Sequence, residues 1–370
     1  MTAPLSGGTV SGGTVSGGTV WSGTVSGSAG LTAEFLTRAL AGHLAGRSVT
    51  AVAALPVGTG QVSDTYRLRL TYDGPASMPA TLIAKVPSAD PASRNAARAF
   101  RTYEIEASFY DQLAAGLPVS LATCYFAAYD AGPDEYLVLL EDVAPAAPGD
   151  QLAGIGPADA AAAVSELAAL HAAGWDCPDL AALPWLNRSG PEAATLLAAV
   201  VTDLYPGFGE RYAGRLEAGT VRLIEDFLPR IDTYLAGRDE PRTIVHGDFR
   251  ADNLLFGPVR PVVLDWQTAG YGAGIGDLSY FLGSSLPVPM RQRHEEELVR
   301  QYHAALAGRG VDLTWSACWD GYRRHAFGGI VMDVIAAMVV QRTERGDEMF
   351  TAMANRHAAH ALDLDALDLL

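Results

Sequence analysis

The chain has 370 residues, more than one ordinary domain, and 49% of them are hydrophobic, so a globular protein with two domains or lobes is the default expectation. Its formal net charge of -16 at pH 7, without any Lys/Arg-rich run, argues against nucleic-acid binding and favours cationic small molecules over polyanions as partners. Three widely spaced cysteines fit neither a disulfide framework nor a metal site, and neither a signal peptide nor a membrane span is evident, so we expect a cytoplasmic location and no membrane partner.

The first segments of the chain differ sharply in composition. Residues 1–30 contain the tandem repeat SGGTV, which is too rich in Gly, Ser and Thr to bury a core and predicts a disordered tail without a catalytic role. Apolar spacing then predicts a helix over residues 31–46. Alternating polarity over residues 51–58 and 65–72 predicts two antiparallel strands joined by a glycine-containing loop.

A small sheet with one main helix completes the first lobe, residues 31–141. The stretch ATLIAKVP predicts a third strand, a helix follows over residues 98–115, and residues 124–130 and 135–142 predict two more strands around a Gly-Pro turn.

The second lobe, residues 142–370, is predicted to be almost wholly helical, because Ala/Leu-rich segments dominate it. An α+β fold with a small β-rich lobe and a larger helical lobe follows, rather than alternating strands and helices. The predicted helices cover residues 157–174, 191–204, 215–236, 290–308 and 314–370, and a strand-loop-strand region covers residues 243–266.

One lysine stands out. The chain has 26 Lys and Arg residues, and Lys85 is its single lysine. Because the sequence otherwise uses arginine as its cation, Lys85 marks either a position where a guanidinium would not serve or a chance surface position. Composition alone leaves both interpretations open.

The stretch IVHGDFRADNLLFG, residues 244–257, carries a candidate catalytic loop. Phosphoryl transfer needs a carboxylate that orients and deprotonates a hydroxyl, together with oxygen ligands for Mg²⁺. Asp248 is the candidate base, and Asn253 offers a neutral amide oxygen for the metal. Asp265, at the end of the apolar stretch PVVLDW, offers an anionic oxygen.

Arg250 lies between the candidate base and the candidate amide ligand. Its guanidinium could hold the γ-phosphate and so act in catalysis. Alternatively, it could pair with Asp252 or with Glu141, and the sequence leaves these possibilities open.

HGDFRADN together with VLDWQ resembles the aminoglycoside phosphotransferase and choline-kinase-like branch of the protein-kinase fold, whose pattern is HGDxxxxN followed by a metal-binding Asp. The resemblance extends from about residue 50 onward. It implies a bilobal protein-kinase-like fold. It also implies Mg²⁺-dependent transfer of a phosphoryl group from ATP or GTP to a hydroxyl of a small molecule.

The same resemblance implies roles for the lone lysine and a helix glutamate. In that family a lysine on a strand of the first lobe contacts the nucleotide phosphates and pairs with a glutamate. Lys85 in TLIAKV is similar to this lysine, and YEIEASFY offers Glu104 and Glu106 as partners. Glu106 is preferred, because ExxFY looks like the family's helix pattern.

Two further segments are similar to nucleotide-binding parts of the family. In VGTGQVSD, the backbone N–H groups of Gly58, Gly60 and Ser63 would cover the phosphates. In LVLLEDVAP, the segment from Glu141 to Val143 would form the hinge and meet the base edge, mainly through backbone groups. In GDLSYFL, Asp277 is expected to support the catalytic loop rather than touch substrate.

No motif in the sequence identifies the acceptor of the phosphoryl group. The Ala/Gly/Arg-rich composition is typical of a GC-rich bacterial genome, so an antibiotic-inactivating or self-resistance phosphotransferase is one expectation. A metabolic kinase for choline, homoserine or a sugar is the alternative. A nucleotide-binding pseudokinase scaffold is disfavoured by the complete set Lys85, Asp248, Asn253 and Asp265. The oligomeric state is not readable from the sequence.

Overall fold

The computed structural model describes residues 27–58, 62–75, 77–132, 134–236 and 240–370. Most of the repeat segment lies outside these residues, so the expectation of disorder there stays a prediction. At its end, Ser28–Gly30 form a 3-10 turn that leads into the first lobe.

A five-stranded antiparallel sheet forms the first lobe, with the strand order β1-β2-β3-β5-β4. One face of the sheet packs Leu68, Leu82 and Leu139 against the first helix, while the opposite face turns Lys85 and Val138 towards the third helix. The alternation of polar and apolar residues predicted from the sequence therefore assigns successive side chains to opposite faces of one sheet. Its strands are β1 Val49–Pro56, β2 Ser63–Tyr72, β3 Thr81–Pro87, β4 Cys124–Asp130 and β5 Glu135–Glu141.

The helices of the first lobe are α1 Ala33–Ala39, α2 Pro91–Phe100 and α3 Thr102–Gln112. The single helix predicted over residues 98–115 is therefore wrong. The chain breaks at Arg101, whose φ of 57° is left-handed and ends α2 just before α3 begins. The helix predicted over residues 31–46 is also too long, because left-handed residues occur at Ala45 and Gly46 and the chain turns after α1.

The second lobe is mainly helical, as predicted. Its helices are α4 Pro157–Ala173, α5 Pro178–Ala181, α6 Pro191–Arg211, α7 Ala218–Phe227, α8 Ile231–Leu235, α9 Gly274–Ser285, α10 Val288–Ala307, α11 Trp315–Arg324, α12 Phe327–Val339 and α13 Glu344–Asp363. Its short strands are β6 Ala147–Pro148, β7 Thr243–Val245, β8 Leu254–Phe256, β9 Val262–Val263 and β10 Gly270–Gly272.

The structure divides one predicted helical segment and adds a helix. The Ala/Leu-rich segment predicted to be helical over residues 314–370 consists of three helices, and the last of them begins where the Thr343 side chain accepts a hydrogen bond from the Gly346 amide. The prediction also omitted α9, because the glycines at its start lower its helix propensity.

Two hydrophobic cores hold the second lobe together. The first combines α4, α9 and α10 with α3 and the inner face of β5, so it continues across both lobes. The second joins α6, α7, α12 and α13. The candidate catalytic loop runs between them, from β7 to β8. No helix in the described part of the chain combines the length and the apolar character that a bilayer span requires.

Candidate active site

The candidate catalytic loop follows β7 and contains Gly247. Any other residue at this position would be strained. Gly247 has a φ of 81°, a left-handed conformation. A Cβ at this position would lie 2.7 Å from the carbonyl oxygen of Thr268. The backbone therefore makes a tight turn directly before Asp248, and this turn sets the direction of the Asp248 side chain.

Asp277, in the first turn of α9, holds this turn from behind. Its carboxylate accepts hydrogen bonds from the amides of His246 (2.6 Å) and Gly247 (3.0 Å). Burial alone would raise the pKa of Asp277, but its hydrogen bonds with the His171 ring and with the His246 amide lower it overall. Asp277 thus supports the loop backbone and lies behind Asp248.

His246 braces the loop with both ring nitrogens. Its Nε2 lies 2.8 Å from the carbonyl oxygen of Leu264, and its Nδ1 lies 3.2 Å from the amide nitrogen of Asp248. A carbonyl only accepts and an amide N–H only donates, so the imidazole is neutral with its proton on Nε2. Both nitrogens are occupied, which fits a structural role better than a metal-binding one.

The Asp248 carboxylate is held by three side chains. Its Oδ1 accepts hydrogen bonds from the Tyr280 hydroxyl (2.7 Å) and from Arg250 Nε (3.1 Å). Its Oδ2 accepts hydrogen bonds from Asn253 Nδ2 (3.0 Å) and from Arg250 Nε (3.2 Å). Sequence reasoning missed Tyr280. The available signal was its position one turn after Asp277 on the same helix, which places both residues on one face.

Arg250 binds two carboxylates of its own loop. Besides Asp248, it binds Asp252, with Nη1 3.0 Å from Oδ2. Burial alone would lower the pKa of Arg250, but the charge of Asp248 raises it overall. Pairing with Asp252, one of the possibilities that the sequence left open, is therefore present. The other suggested partner, Glu141, bonds to Thr123 instead.

Lys85 joins the two lobes. Its Nζ lies 2.6 Å from Glu106 Oε1 and 2.7 Å from Asp265 Oδ1. Of the two glutamates on α3 that the sequence offered, Glu106 is the one that contacts Lys85, while Glu104 pairs with Arg101. The lone lysine is thus a buried group, 9% exposed, and not a chance surface cation.

The charges of this cluster depend on one another. Burial raises the pKa of Glu106, although Lys85 offsets part of this effect. Burial alone would lower the pKa of Lys85, but the two carboxylates raise it overall. Lys85 in turn keeps the pKa of Asp265 low despite its burial. The Tyr136 hydroxyl donates a further hydrogen bond to Glu106. The result is a cation fixed between the sheet and the catalytic loop.

Asn253 and Asp265 are neighbours, because the amide of Leu264 donates to the carbonyl oxygen of Asn253 at 2.9 Å. The Nδ2 of Asn253 donates a hydrogen bond to Asp248, and the Oδ1 of Asp265 accepts a hydrogen bond from Lys85. Each side chain therefore has one further oxygen for a cation. Two such donors suit Mg²⁺, which keeps several waters and takes phosphate oxygens. Within the described ranges, no group of three or more His, Cys, Asp or Glu side chains is placed to hold a metal alone.

The loop between β1 and β2 is described in part. Gly58 has a φ of 76°, consistent with a turn after β1, and Gly60 lies outside the described residues. Ser63 is buried as the first residue of β2 and pairs with Pro87. The carbonyl oxygen of Val62 accepts a hydrogen bond from the Tyr103 hydroxyl (2.6 Å), which ties the end of this loop to α3.

In the predicted hinge, from Glu141 to Val143, each side chain contacts a different part of the protein. The Glu141 amide donates to the Thr123 carbonyl at 2.8 Å, and its carboxylate accepts from the Thr123 hydroxyl at 2.7 Å. Asp142 forms a two-point salt bridge with Arg67 of β2, at 2.8 and 3.1 Å. Val143 is half-buried against the core. These contacts fix the segment where the lobes meet.

Comparisons with known proteins bear on the family and on the fold. A model of the phosphotransferase enzyme family matches residues 53–323. Mouse acyl-CoA dehydrogenase family member 10 is 35% identical over 80 residues, which cover 20% of this chain and 7% of that protein. Rat acyl-CoA dehydrogenase family member 11 is 28% identical over 138 residues, covering 32% and 17%. The chain therefore spans less than a fifth of the length of these curated relatives.

Solved structures of small-molecule kinases share the fold at low sequence identity. Choline kinase from Cryptosporidium parvum Iowa II has a TM-score of 0.52 and 8% identity, covering 85% of this chain and 89% of that one. Plasmodium vivax ethanolamine kinase has a TM-score of 0.52 and 9% identity, with 83% and 82% covered. A Ralstonia eutropha JMP134 structure assigned to the aminoglycoside phosphotransferases has a TM-score of 0.50 and 18% identity, with 89% and 97% covered. The predicted bilobal α+β fold is confirmed.

Proposed function

Because the chain belongs to the phosphotransferase enzyme family, we propose that it is a small-molecule kinase that transfers the γ-phosphoryl group of ATP or GTP to a hydroxyl of a small acceptor. One observation carries this proposal. The contact between Lys85 and Asp265 brings the lone lysine of the sheet beside the candidate catalytic loop, because the amide of Leu264 donates to the carbonyl oxygen of Asn253. A phosphate grip, metal ligands and a base then lie together, which is the set that phosphoryl transfer requires.

Asp248 acts on the acceptor. Its carboxylate orients the attacking hydroxyl and takes its proton as the bond to phosphorus forms. Four hydrogen-bonding contacts now satisfy the two oxygens, so the acceptor hydroxyl displaces one donor when it binds. Arg250 is the donor most suited to leave, because its guanidinium can turn from Asp248 to the γ-phosphate while it keeps Asp252.

Lys85 holds the α- and β-phosphates, and Glu106 keeps it in place from the opposite side. Asn253 and Asp265 would hold Mg²⁺ through the oxygens that their other contacts leave available. When bound, the metal neutralises phosphate charge and aligns the phosphates for in-line transfer.

The nucleotide lies between the lobes. Backbone N–H groups of the loop that includes Gly58, Gly60 and Ser63 cover its phosphates. The backbone from Glu141 to Val143 meets the edge of the base. The bond from Tyr103 to Val62 and the salt bridge between Arg67 and Asp142 support these two segments.

Two classes of acceptor molecule fit the proposed reaction. An antibiotic acceptor is supported by the composition, which is typical of a GC-rich bacterial genome, where such resistance enzymes serve self-protection or defence. A metabolite acceptor, such as choline, homoserine or a sugar, is supported by the origin of both curated relatives, which are mammalian proteins. Growth protection against a panel of antibiotics separates the two classes.

The test is nucleotide consumption by the purified protein with Mg²⁺, with ATP and GTP in parallel, over a panel of hydroxylated antibiotics and metabolites. We expect one acceptor to stimulate the release of nucleoside diphosphate, and we expect Asp248→Ala to abolish that stimulation while it still binds nucleotide. If nucleotide binds tightly and no acceptor in a broad panel is phosphorylated, the protein is a nucleotide-binding scaffold instead.

A further inference from the structure

His357, on α13, is a buried histidine with no role in the mechanism above. It is 0% exposed. Burial, and after it the charge of Arg356, lowers the pKa of His357 to about 3, so the ring is neutral at pH 7. Among the described residues, neither nitrogen of this ring has a hydrogen-bond partner. The ring therefore acts through its flat faces and its shape, and not by exchanging a proton.

Two glycines make room for the His357 ring. They are Gly283 on α9 and Gly329 on α12. A Cβ on Gly283 would lie 2.8 Å from His357 Nδ1, and a Cβ on Gly329 would overlap the ring. The ring thus lies where three helices meet, and a side chain at either glycine would displace it.

One face of the His357 ring packs on the ring of Tyr280 on α9. The two ring centroids are 5.2 Å apart and the ring planes differ by 26°. The Tyr280 hydroxyl donates to Asp248 Oδ1 at 2.7 Å. A change in the χ1 torsion of Tyr280 would move this hydroxyl farther than any other atom of the side chain. Because stacking on a fixed neighbour opposes such a change, His357 controls the position of the hydroxyl.

The position of this hydroxyl matters most during the proposed reaction. In the described part of the chain, Tyr280 and Arg250 are the two donors to Oδ1 of Asp248. When Arg250 turns to the γ-phosphate, Tyr280 is left on Oδ1, and Asn253 remains on Oδ2. The direction in which the carboxylate meets the acceptor hydroxyl then depends on the place of the Tyr280 hydroxyl.

We propose that His357 is a positioning residue for the candidate base: its ring holds Tyr280 so that the tyrosine hydroxyl keeps Asp248 in the orientation that meets the acceptor. The inference rests on the proposed kinase function and adds a residue of α13 to that site. His357 touches neither nucleotide nor acceptor. Removal of its ring therefore slows the chemical step without weakening nucleotide binding, and it does so only while Tyr280 carries its hydroxyl.

The same helix offers a matched control, three residues further along. His360 is also 0% exposed and lies beside Gly283. Its Nε2 lies 2.9 Å from the Tyr322 hydroxyl, which contacts Glu295 and not the catalytic loop. His360→Leu therefore removes an equally buried ring from α13 and leaves the contact between Tyr280 and Asp248 in place.

The test measures kcat, and KM for ATP, with Mg²⁺ and whichever of choline, homoserine, glucose and kanamycin gives the highest turnover. The proteins are the wild type, His357→Leu, His360→Leu, Tyr280→Phe and the double variant of His357→Leu with Tyr280→Phe. We expect His357→Leu to lower kcat about tenfold, as Tyr280→Phe does, with KM for ATP unchanged within about twofold. In the Tyr280→Phe background the same substitution should change kcat by less than about twofold, because the hydroxyl that it positions is gone. Thermal unfolding identifies the variants that are folded at the assay temperature.

A second substitution displaces the ring without removing it. Gly329→Ala places a methyl group where the His357 ring lies. Gly328→Ala is its control on the preceding residue of α12, since a Cβ there would meet the Tyr234 hydroxyl at 3.1 Å instead. We expect Gly329→Ala to lower kcat about fivefold or more and Gly328→Ala to leave it within about twofold.

The outcomes separate this inference from the kinase proposal. If the wild-type protein phosphorylates an acceptor and His357→Leu leaves kcat unchanged, the inference is overturned and the kinase proposal stands. The same holds if His357→Leu lowers kcat equally in the wild-type and Tyr280→Phe backgrounds, or if His360→Leu lowers it as much, because a general packing defect has that effect. If the wild-type protein phosphorylates none of these acceptors and none of the broader panel, both proposals are overturned.

Discussion

Glu106 offers a sharp test of how the lone lysine is held, because Glu104 provides a matched control on the same helix. Glu106 is 1% exposed and lies 2.6 Å from Lys85, whereas the Glu104 side chain is 31% exposed and pairs with Arg101. Glu106→Gln keeps the shape and an oxygen that accepts from the Lys85 ammonium, but it removes the negative charge that opposes the pull of Asp265 on Lys85.

The magnitude follows from the hydrogen bond that remains. Lys85 stays charged, so its bond to Gln stays within the range of about 1.5–3 kcal/mol for hydrogen bonds to charged groups, and the loss is at most the width of that range, about 1.5 kcal/mol. Since about 1.4 kcal/mol corresponds to a factor of ten in an equilibrium constant, Glu106→Gln should raise the Kd for nucleotide up to about tenfold. Glu104→Gln alters an exposed pair that contributes about 0–1 kcal/mol to stability, and it should leave the Kd unchanged.

The assay is calorimetric titration of each variant with ADP and Mg²⁺, which needs no acceptor. Thermal unfolding of both variants controls for loss of folded protein. Equal effects of the two substitutions, or an unchanged Kd for Glu106→Gln, would refute the reasoning about Lys85.

Three further outcomes are expected. Tyr280→Phe removes one hydrogen bond to the candidate base and should lower kcat about tenfold with unchanged nucleotide KM, whereas Tyr322→Phe, which removes a buried hydroxyl bond to Glu295, should leave kcat unchanged. Gly247→Ala should destabilise the protein more than Gly46→Ala in urea unfolding, because both residues are left-handed but only the first would meet a carbonyl oxygen, and equal losses would contradict this. Asp333→Asn should stabilise the protein more at pH 8 than at pH 4 in urea unfolding, because burial on α12 raises the pKa of Asp333 well above its ordinary value. The unfolded chain releases this proton above about pH 4 while the folded chain holds it more tightly, so the contribution of Asp333 to stability falls with rising pH and the variant lacks that contribution.

The first two strands of the first lobe were predictable because half-buried strands alternate in polarity, and the third because a short apolar run ends at a proline. The third strand was predicted over residues 80–87 and is found at Thr81–Pro87. The helix ends were harder. The break at Arg101 depends on one left-handed residue, and the start of α13 depends on a single threonine cap, and neither interrupts the apolar spacing enough to be read from the sequence.

Some residues of the candidate site could also be predicted from the sequence, and others could not. Asp248, Asn253 and Asp265 lie within 18 residues of one another, so one motif identifies them together. Helical period shows that Glu104 and Glu106 face different directions, but only the packing of α3 on the sheet decides which of them meets Lys85.

Tyr280 escaped sequence reasoning as a site residue for a different reason. It reaches Asp248 through the packing of α9, which lies outside the catalytic-loop motif. No local pattern records such a contact.

The central claim is transfer of a phosphoryl group to a hydroxyl with Asp248 as the base. Phosphorus NMR of a reaction that contains ATP, Mg²⁺ and the acceptor selected by the panel tests it most directly. The account predicts a new phosphate monoester signal that grows as ATP becomes ADP with the wild-type protein and is absent with Asp248→Asn. Formation of ADP and inorganic phosphate alone, or monoester formation by Asp248→Asn at the wild-type rate, would contradict it.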